Sequence, residues 1–284
     1  MEVVAFYDRP TGTVSYIVAD AATQQCAVID SVLDYDGAAA RISTASADRI
    51  LAEIGARGLT CTWLLETHVH ADHLSAAGYL RRATGAPIGI GRQIGPVQKT
   101  FAALFDLGGE FPTDGRQFDR LFEDGESFAI GGLTARVMHT PGHTSACSTY
   151  LIEDCAFVGD TLFMPDFGTA RCDFPGGDAA TLYRSIRRIL DLPPQTRIFT
   201  GHDYPPDGRA PAWESTVAEQ RARNVHVGGE VAERDFASMR AARDATLAMP
   251  ALILPAVQVN IRAGDLPEPA ANGRRYLKLP VDTV

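Results

Sequence analysis

No stretch of this sequence is long and apolar enough to cross a bilayer, which takes about 20 consecutive apolar residues. Met1 to Tyr16 also lacks the charged-then-apolar build of a secretory leader, so the expectation is a cytoplasmic protein. Basic residues are in deficit: 26 Lys and Arg stand against 35 Asp and Glu, a net charge of −9. That balance speaks against nucleic acid, whose phosphates need cationic neutralisation. The arginines that do cluster, Arg184, Arg187 and Arg188 and then Arg221 and Arg223, fall at helical spacing and read as a solvated face. Cysteine is scarce and odd in number. Cys26, Cys61, Cys147, Cys155 and Cys172 contain no Cys-x-x-Cys pair, which argues against a disulfide framework or a zinc ribbon and leaves them as small buried apolar residues. Repeats and low-complexity tracts are absent too, setting solenoids aside.

What remains is an ordinary globular composition, 45% apolar and 21% charged over 284 residues, enough for one large α/β domain with an extension or two small ones. Val14 to Ala19 and Cys26 to Ile29 flank a polar turn and read as a hairpin. Ile50 to Arg57 reads as a helix stopped by Gly58, and Cys61 to Leu65 as a buried strand. From Asp72 a helix is expected, on the spacing of Leu74, Ala77 and Leu80. Ser127 to Ile130 and Leu133 to His139 form a second hairpin about Gly131-Gly132, and Thr149 to Ile152 with Cys155 to Val158 a third. Asp178 caps a helix bearing Leu182, Ile186 and Ile189 on one face, and Ile198 to Thr200 is a short strand. Beyond Pro211 come two helical patterns, Trp213 to Arg223 and Val231 to Ala248, then Leu252 to Ile261 and Tyr276 to Leu279 as extended segments. This order suggests two packed sheets with helices outside, a catalytic domain over 1–210 and an extension over 211–284 packed on it.

The densest chemical signal is Thr67-His68-Val69-His70-Ala71-Asp72-His73, at the expected junction of a strand and a helix. Alternation in an extended loop puts His68 and His70 on one side, and the helix start turns Asp72 and His73 toward them. A lone histidine is most often a satisfied structural side chain. Four such groups in six residues would repel one another or leave polar atoms unpaired without a cation, so the cluster reads as a metal site for zinc, iron or manganese. Three further candidates, His143, Asp160 and His202, each follow a glycine at the end of an expected strand, where the backbone turns sharply and approaches an ion closely.

In this order, His-x-His-x-Asp-His, then a lone His, a lone Asp and a last His, the sequence resembles the metallo-β-lactamase superfamily from Val14 to Asp203. The resemblance implies an α/β fold, the αββα sandwich of two mixed sheets flanked by helices, with the metal at one edge. His139 and His226 fall outside the ligand set. After Asp160, the run Arg171-Cys172-Asp173-Phe174 followed by Thr181-Leu182-Tyr183 is similar to the persulfide dioxygenases, and the tail through Asn260-Ile261-Arg262-Ala263-Gly264 to a bacterial subgroup of them. That likeness implies one iron(II) per chain, Fe(2+), held by His68, His143 and Asp160, with zinc as the alternative metal. His70, Asp72, His73 and His202 then support those ligands or hold a second ion. The implied reaction oxidises glutathione persulfide with O2 to sulfite and glutathione. Arg171 answers to the residue that binds the glutathione carboxylate, its fallback being a loop-bracing arginine. A homodimer and a separate sulfurtransferase partner are implied as well.

Two other readings stand beside this one. A glyoxalase II-type thioester hydrolase shares the ligand pattern and uses two metal ions, but its helical C-terminal domain sits poorly with a tail expected to be extended. A non-catalytic metal staple is disfavoured because structural zinc sites are closed and rich in cysteine, whereas these seven candidates include none. Cys172, next to Arg171, reads as a small loop residue rather than a redox-sensitive thiol.

Overall fold

The computed structural model describes residues 1–282. The chain begins with β1 (Glu2–Asp8), β2 (Thr13–Asp20), β3 (Gln25–Ile29), β4 (Val32–Asp36) and β5 (Arg41–Ser43), then α1 (Ala45–Ala56), β6 (Thr60–Leu65) and the two-residue β7 (Leu74–Ser75). After α2 (Ala77–Thr84), β8 (Ile88–Gly91) and α3 (Ile94–Leu104) come β9 (Arg120–Phe122), β10 (Ser127–Ile130), β11 (Leu133–His139), β12 (Ser148–Ile152) and β13 (Cys155–Gly159). The last part holds α4 (Ala179–Leu190), β14 (Arg197–Thr200), β15 (Glu214–Thr216), α5 (Val217–Arg223), α6 (Glu233–Asp244) and α7 (Ile253–Asn260). Among the described residues no helix is long and apolar enough to cross a membrane.

Two six-stranded mixed sheets, ordered β1-β2-β3-β6-β8-β9 and β10-β11-β12-β13-β14-β15, lie face to face. Alternation along β2 shows how the layers arise. Tyr16 and Val18 point inward to meet Val137, Tyr150 and Phe157 of the second sheet, while Ile17 points outward to the helices. With both faces covered, every residue of β2 is buried, as the nearly continuous apolar runs of such strands require. Helices α1, α2 and α3 cover the first sheet and α4 and α6 the second, which makes the αββα sandwich. All five cysteines are free and buried in it.

Asp178 caps α4 as its sequence suggests, its carboxylate accepting from the Thr181 amide at 2.7 Å. Three expectations change. The helix awaited from Asp72 begins only at Ala77, because Leu74 and Ser75 pair in extended form with Leu33 and Val32. Trp213 to Thr216 is not helical: β15 adds an edge to the second sheet, so chain beyond residue 210 continues that sheet. Finally, Leu252 to Ile261 is not extended. It forms α7, whose Ile253, Ala256, Val257 and Val259 are buried against the first sheet's helical layer. A short run apolar on every face carries no period to separate helix from strand, and Pro255 sits in the first helical turn, where no amide bond is lost. The tail thus crosses from one helical layer (α6) to the other (α7), and the objection to a helical C-terminal region falls with it.

The ends of the strands place the chemistry, and glycine allows it. Gly142, just before His143, has φ +135°, and a Cβ there would stand 2.3 Å from the backbone of Leu182 in α4. Gly142→Ala is therefore expected to cost about 3 kcal/mol, through backbone strain and displacement of a packed helix. Equilibrium urea unfolding checks it, and a loss below about 1 kcal/mol contradicts this packing argument.

Candidate metal centre

Seven side chains from four separate segments meet at one edge of the sandwich. His68 and His70 leave the end of β6, Asp72 and His73 lie on the loop before β7, His143 follows β11, Asp160 follows β13 and His202 follows β14. Their donor atoms fall into two groups, His68 with His143 and Asp160, and His70 with Asp72, His73 and His202; within each group all lie within 4.8 Å of one another. The Asp160 Oδ2 atom is 3.9 Å from His68 Nε2 and 3.7 Å from His143 Nε2. Two ligands about 2.1 Å from a shared ion are separated by up to roughly 4 Å, so the triad fits a first-row metal.

Hydrogen bonds fix which nitrogen each ring offers. His143 Nδ1 faces the Arg171 carbonyl at 2.8 Å, and a carbonyl only accepts, so the proton sits on Nδ1 and the Nε2 lone pair points into the site. At His68 the logic runs through two links. The Thr67 hydroxyl donates to Asp30 at 2.7 Å and therefore accepts from His68 Nδ1 at 3.0 Å, which again frees Nε2. His202 Nδ1 donates to Asp160 Oδ1 at 2.6 Å and leaves Oδ2 facing the two histidines. Thr13 Oγ1 braces His73 and His202 at 3.2 and 3.1 Å.

Electrostatics favours positive charge at the centre. Burial, reinforced by His70, holds His68 well below the ordinary imidazole value, and burial lowers His143, so both rings stay neutral as ligands must. Burial opposes ionisation of Asp160, but the field of His202 and its hydrogen bond outweigh it and hold the carboxyl below its ordinary value. Burial likewise works against charge on His70, yet Asp30, Glu66 and Asp72 push it up to about 9, while burial and Asp30 raise Glu66 to about 8. Carboxylates packed in an apolar interior need a cation to pair with. The nitrogens His68 Nε2, His73 Nε2 and His70 Nδ1 are buried with no hydrogen-bond partner, as donor atoms for a metal would be.

Asp30, Glu66, Thr67 and Thr13 escape sequence reasoning, because one polar residue at a strand end looks like an ordinary turn; the signal present was Asp30 closing the apolar run of β3, where its φ is +50°. His139 bonds the Ser145 carbonyl, and His226 accepts from the Thr169 amide, both apart from the metal. Cys172 is buried, and burial pushes its thiol up, away from thiolate chemistry.

The centre opens on a cleft lined by Phe163, Phe167, Phe174 and Tyr204 and by Arg171, Arg240 and Arg243. Its lining is largely apolar with a few placed charges. Arg171 lies across the Phe174 ring, donates from Nε and Nη2 to Asp173 at 2.6 Å, and donates from Nη1 to the Ala248 carbonyl at 2.7 Å.

Thr67→Val keeps the shape of the side chain and removes the hydroxyl between Asp30 and His68. Metal affinity, measured by competition with a chelator, should fall by about 10–100-fold. Unchanged affinity would mean that this link does not orient His68.

A family model described as "Metallo-beta-lactamase superfamily" matches residues 8–202. A probable metallo-hydrolase of Burkholderia pseudomallei is 56% identical, with 100% of both chains covered. The Glyoxylase B2 of Dictyostelium discoideum is 49% identical over 99% of this chain and 97% of its own. Human mitochondrial persulfide dioxygenase ETHE1 is 32% identical over 75% of this chain and 70% of its own. The chain spans 65% of the length of a β-lactamase hydrolase-like protein of Xylella fastidiosa, to which it is 53% identical. Among solved structures, ETHE1 from Myxococcus xanthus superposes with a TM-score of 0.74 at 30% identity, covering 93% of this chain and 100% of its own. With the sandwich, the motif and the matched span in agreement, the chain belongs to the metallo-β-lactamase superfamily.

Proposed function

We propose that this protein is a persulfide dioxygenase that converts glutathione persulfide, O2 and water to glutathione and sulfite, with iron(II) held by His68, His143 and Asp160. The observation that carries the reading is the triad itself, two Nε2 atoms and one carboxylate oxygen grouped beside a largely apolar cleft. A two-histidine, one-carboxylate face leaves coordination positions for both a thiol ligand and dioxygen, which is the chemistry iron supplies when bound there. Similarity to the proteins named persulfide dioxygenase ETHE1 supports it. The overall change balances: the outer sulfur loses four electrons, O2 takes four, the S–S bond breaks, and water provides the third sulfite oxygen.

The chain's own groups prepare this step. Phe163, Phe167 and Phe174 line the approach to the triad and limit the water around a reactive sulfur. Three of the five guanidinium N–H groups of Arg171 are engaged, with Asp173 and Ala248, and two remain, the number a carboxylate takes up. We assign Arg171 to the glutathione end of the substrate on that count.

The second reading, a thioester hydrolase of the glyoxalase II type, draws on one specific observation. His70, Asp72, His73 and His202 form a second compact donor set, suited to a second zinc or iron ion. The similarity to a protein named Glyoxylase B2 points the same way. Oxygen uptake on glutathione persulfide, run beside hydrolysis of lactoylglutathione by the same preparation, separates the two. The dioxygenase reading expects one O2 consumed per sulfite formed and little thioester cleavage, and Arg171→Ala should raise KM about tenfold or more while changing kcat less. Thioester cleavage without oxygen uptake overturns it.

A further inference from the structure

We infer that Asn260, the last residue of α7, is a positioning residue of the metal centre, through which the C-terminal extension sets the geometry of the ligand loop. Asn260 is buried, and its amide spends its capacity on that loop. Nδ2 donates to the carbonyls of His70 and His73, both at 2.8 Å, and Oδ1 accepts from the Ser75 amide at 2.7 Å. These partners lie 185 to 190 residues away in sequence. The loop they pin bears His70, Asp72 and His73, and apart from the two residues of β7 it has no regular structure to hold it.

The arrangement ties two ligand-bearing residues, three positions apart, to one rigid planar group. An amide is the smallest side chain with two coplanar donors and an acceptor. A second link runs from the same point: Ser75 Oγ donates to Glu66 at 2.8 Å and accepts from the Ala77 amide at 3.0 Å, joining the clamp to the carboxylate beside His70 and to the start of α2. Asn260 is itself firmly held. Val257, Val259 and Ile261 are buried around it, Gln98 donates to the Ile261 carbonyl at 2.9 Å, and Gly264 lies so close to Gly78 that a Cβ on Gly78 would stand 2.9 Å from the Gly264 carbonyl oxygen.

The clamp acts on both donor sets. It holds the backbone of His70 and His73 of the second set directly, with Asp72 on the loop between them, and Asp72 contacts His202, which hydrogen-bonds Asp160 of the first set. The inference therefore holds whether one ion binds or two, and it stands apart from the choice between dioxygenase and hydrolase.

Gln258 supplies the control. It is an equally buried amide on the same helix, but it bonds the Leu254 and Lys278 carbonyls and the Lys278 amide, away from the ligands. Full-length Asn260→Ala and Gln258→Ala proteins are compared by cobalt(II) affinity, through chelator competition, by the visible spectrum of the cobalt forms, and by melting without metal. Both variants should melt lower than the wild type. Only Asn260→Ala should bind cobalt about 10–100-fold more weakly and with an altered spectrum. If Asn260→Ala does not fold, Asn260→Ser, which keeps one donor and one acceptor, carries the same comparison. Wild-type affinity and spectrum in the folded Asn260 variant, or an equal loss in Gln258→Ala, would overturn the inference.

Discussion

Burying several carboxylates and imidazoles at one point of an apolar sandwich is the constraint on which everything else here depends. Asp30, Glu66, Asp72 and Asp160 surround His68, His70, His73, His143 and His202, and most of these groups are cut off from water. Desolvation of the groups among them that are charged is repaid only if opposite charges sit together and their spare lone pairs find partners. The field they create drives His70 toward protonation while it leaves His68 and His143 neutral, so charge and ligand availability are divided between neighbouring rings. The supports follow from this. Thr67, Thr13 and the Arg171 carbonyl take up the ring nitrogens that do not face the centre.

The scaffold meets the constraint by bringing strand ends together, with the glycines before His143 and Asp160 letting the chain turn under neighbouring atoms. A Cβ on Gly159 would stand 2.5 Å from the Thr67 hydroxyl, the same hydroxyl that orients His68. The tail then completes the edge. Part of it forms a wall of the cleft, through Arg240, Arg243, Leu247 and Pro250, and part reaches the ligand loop through Asn260. Residues beyond 210 are in this sense continuous with the site rather than appended to it.

Much of this was legible in the sequence, for identifiable reasons. Clustered chemistry is conspicuous, so the His-x-His-x-Asp-His run, with the lone His143, Asp160 and His202, pointed to a metal and to the sandwich. Hairpins bounded by Gly131-Gly132 or Glu153-Asp154 were also readable, since turn chemistry is local. What was hidden depends on distant partners. Leu74 shares the helical spacing of Ala77 and Leu80, but pairing with β4 and the hold of Asn260 keep Leu74 and Ser75 extended. The apolar residues of α7 gave no period, because that helix is buried on nearly all sides. Asp30 and Thr67 looked like turn residues, and their part in orienting His68 is visible only once the two strand ends meet.

The account turns on where a metal sits and how many ions there are. Crystals of anaerobically purified protein, measured by anomalous diffraction on both sides of the iron absorption edge, address this directly. The account expects one iron peak within bonding distance of His68 Nε2, His143 Nε2 and Asp160 Oδ2. A peak only among His70, Asp72, His73 and His202, paired zinc peaks in both donor sets, or no bound metal at all would contradict it.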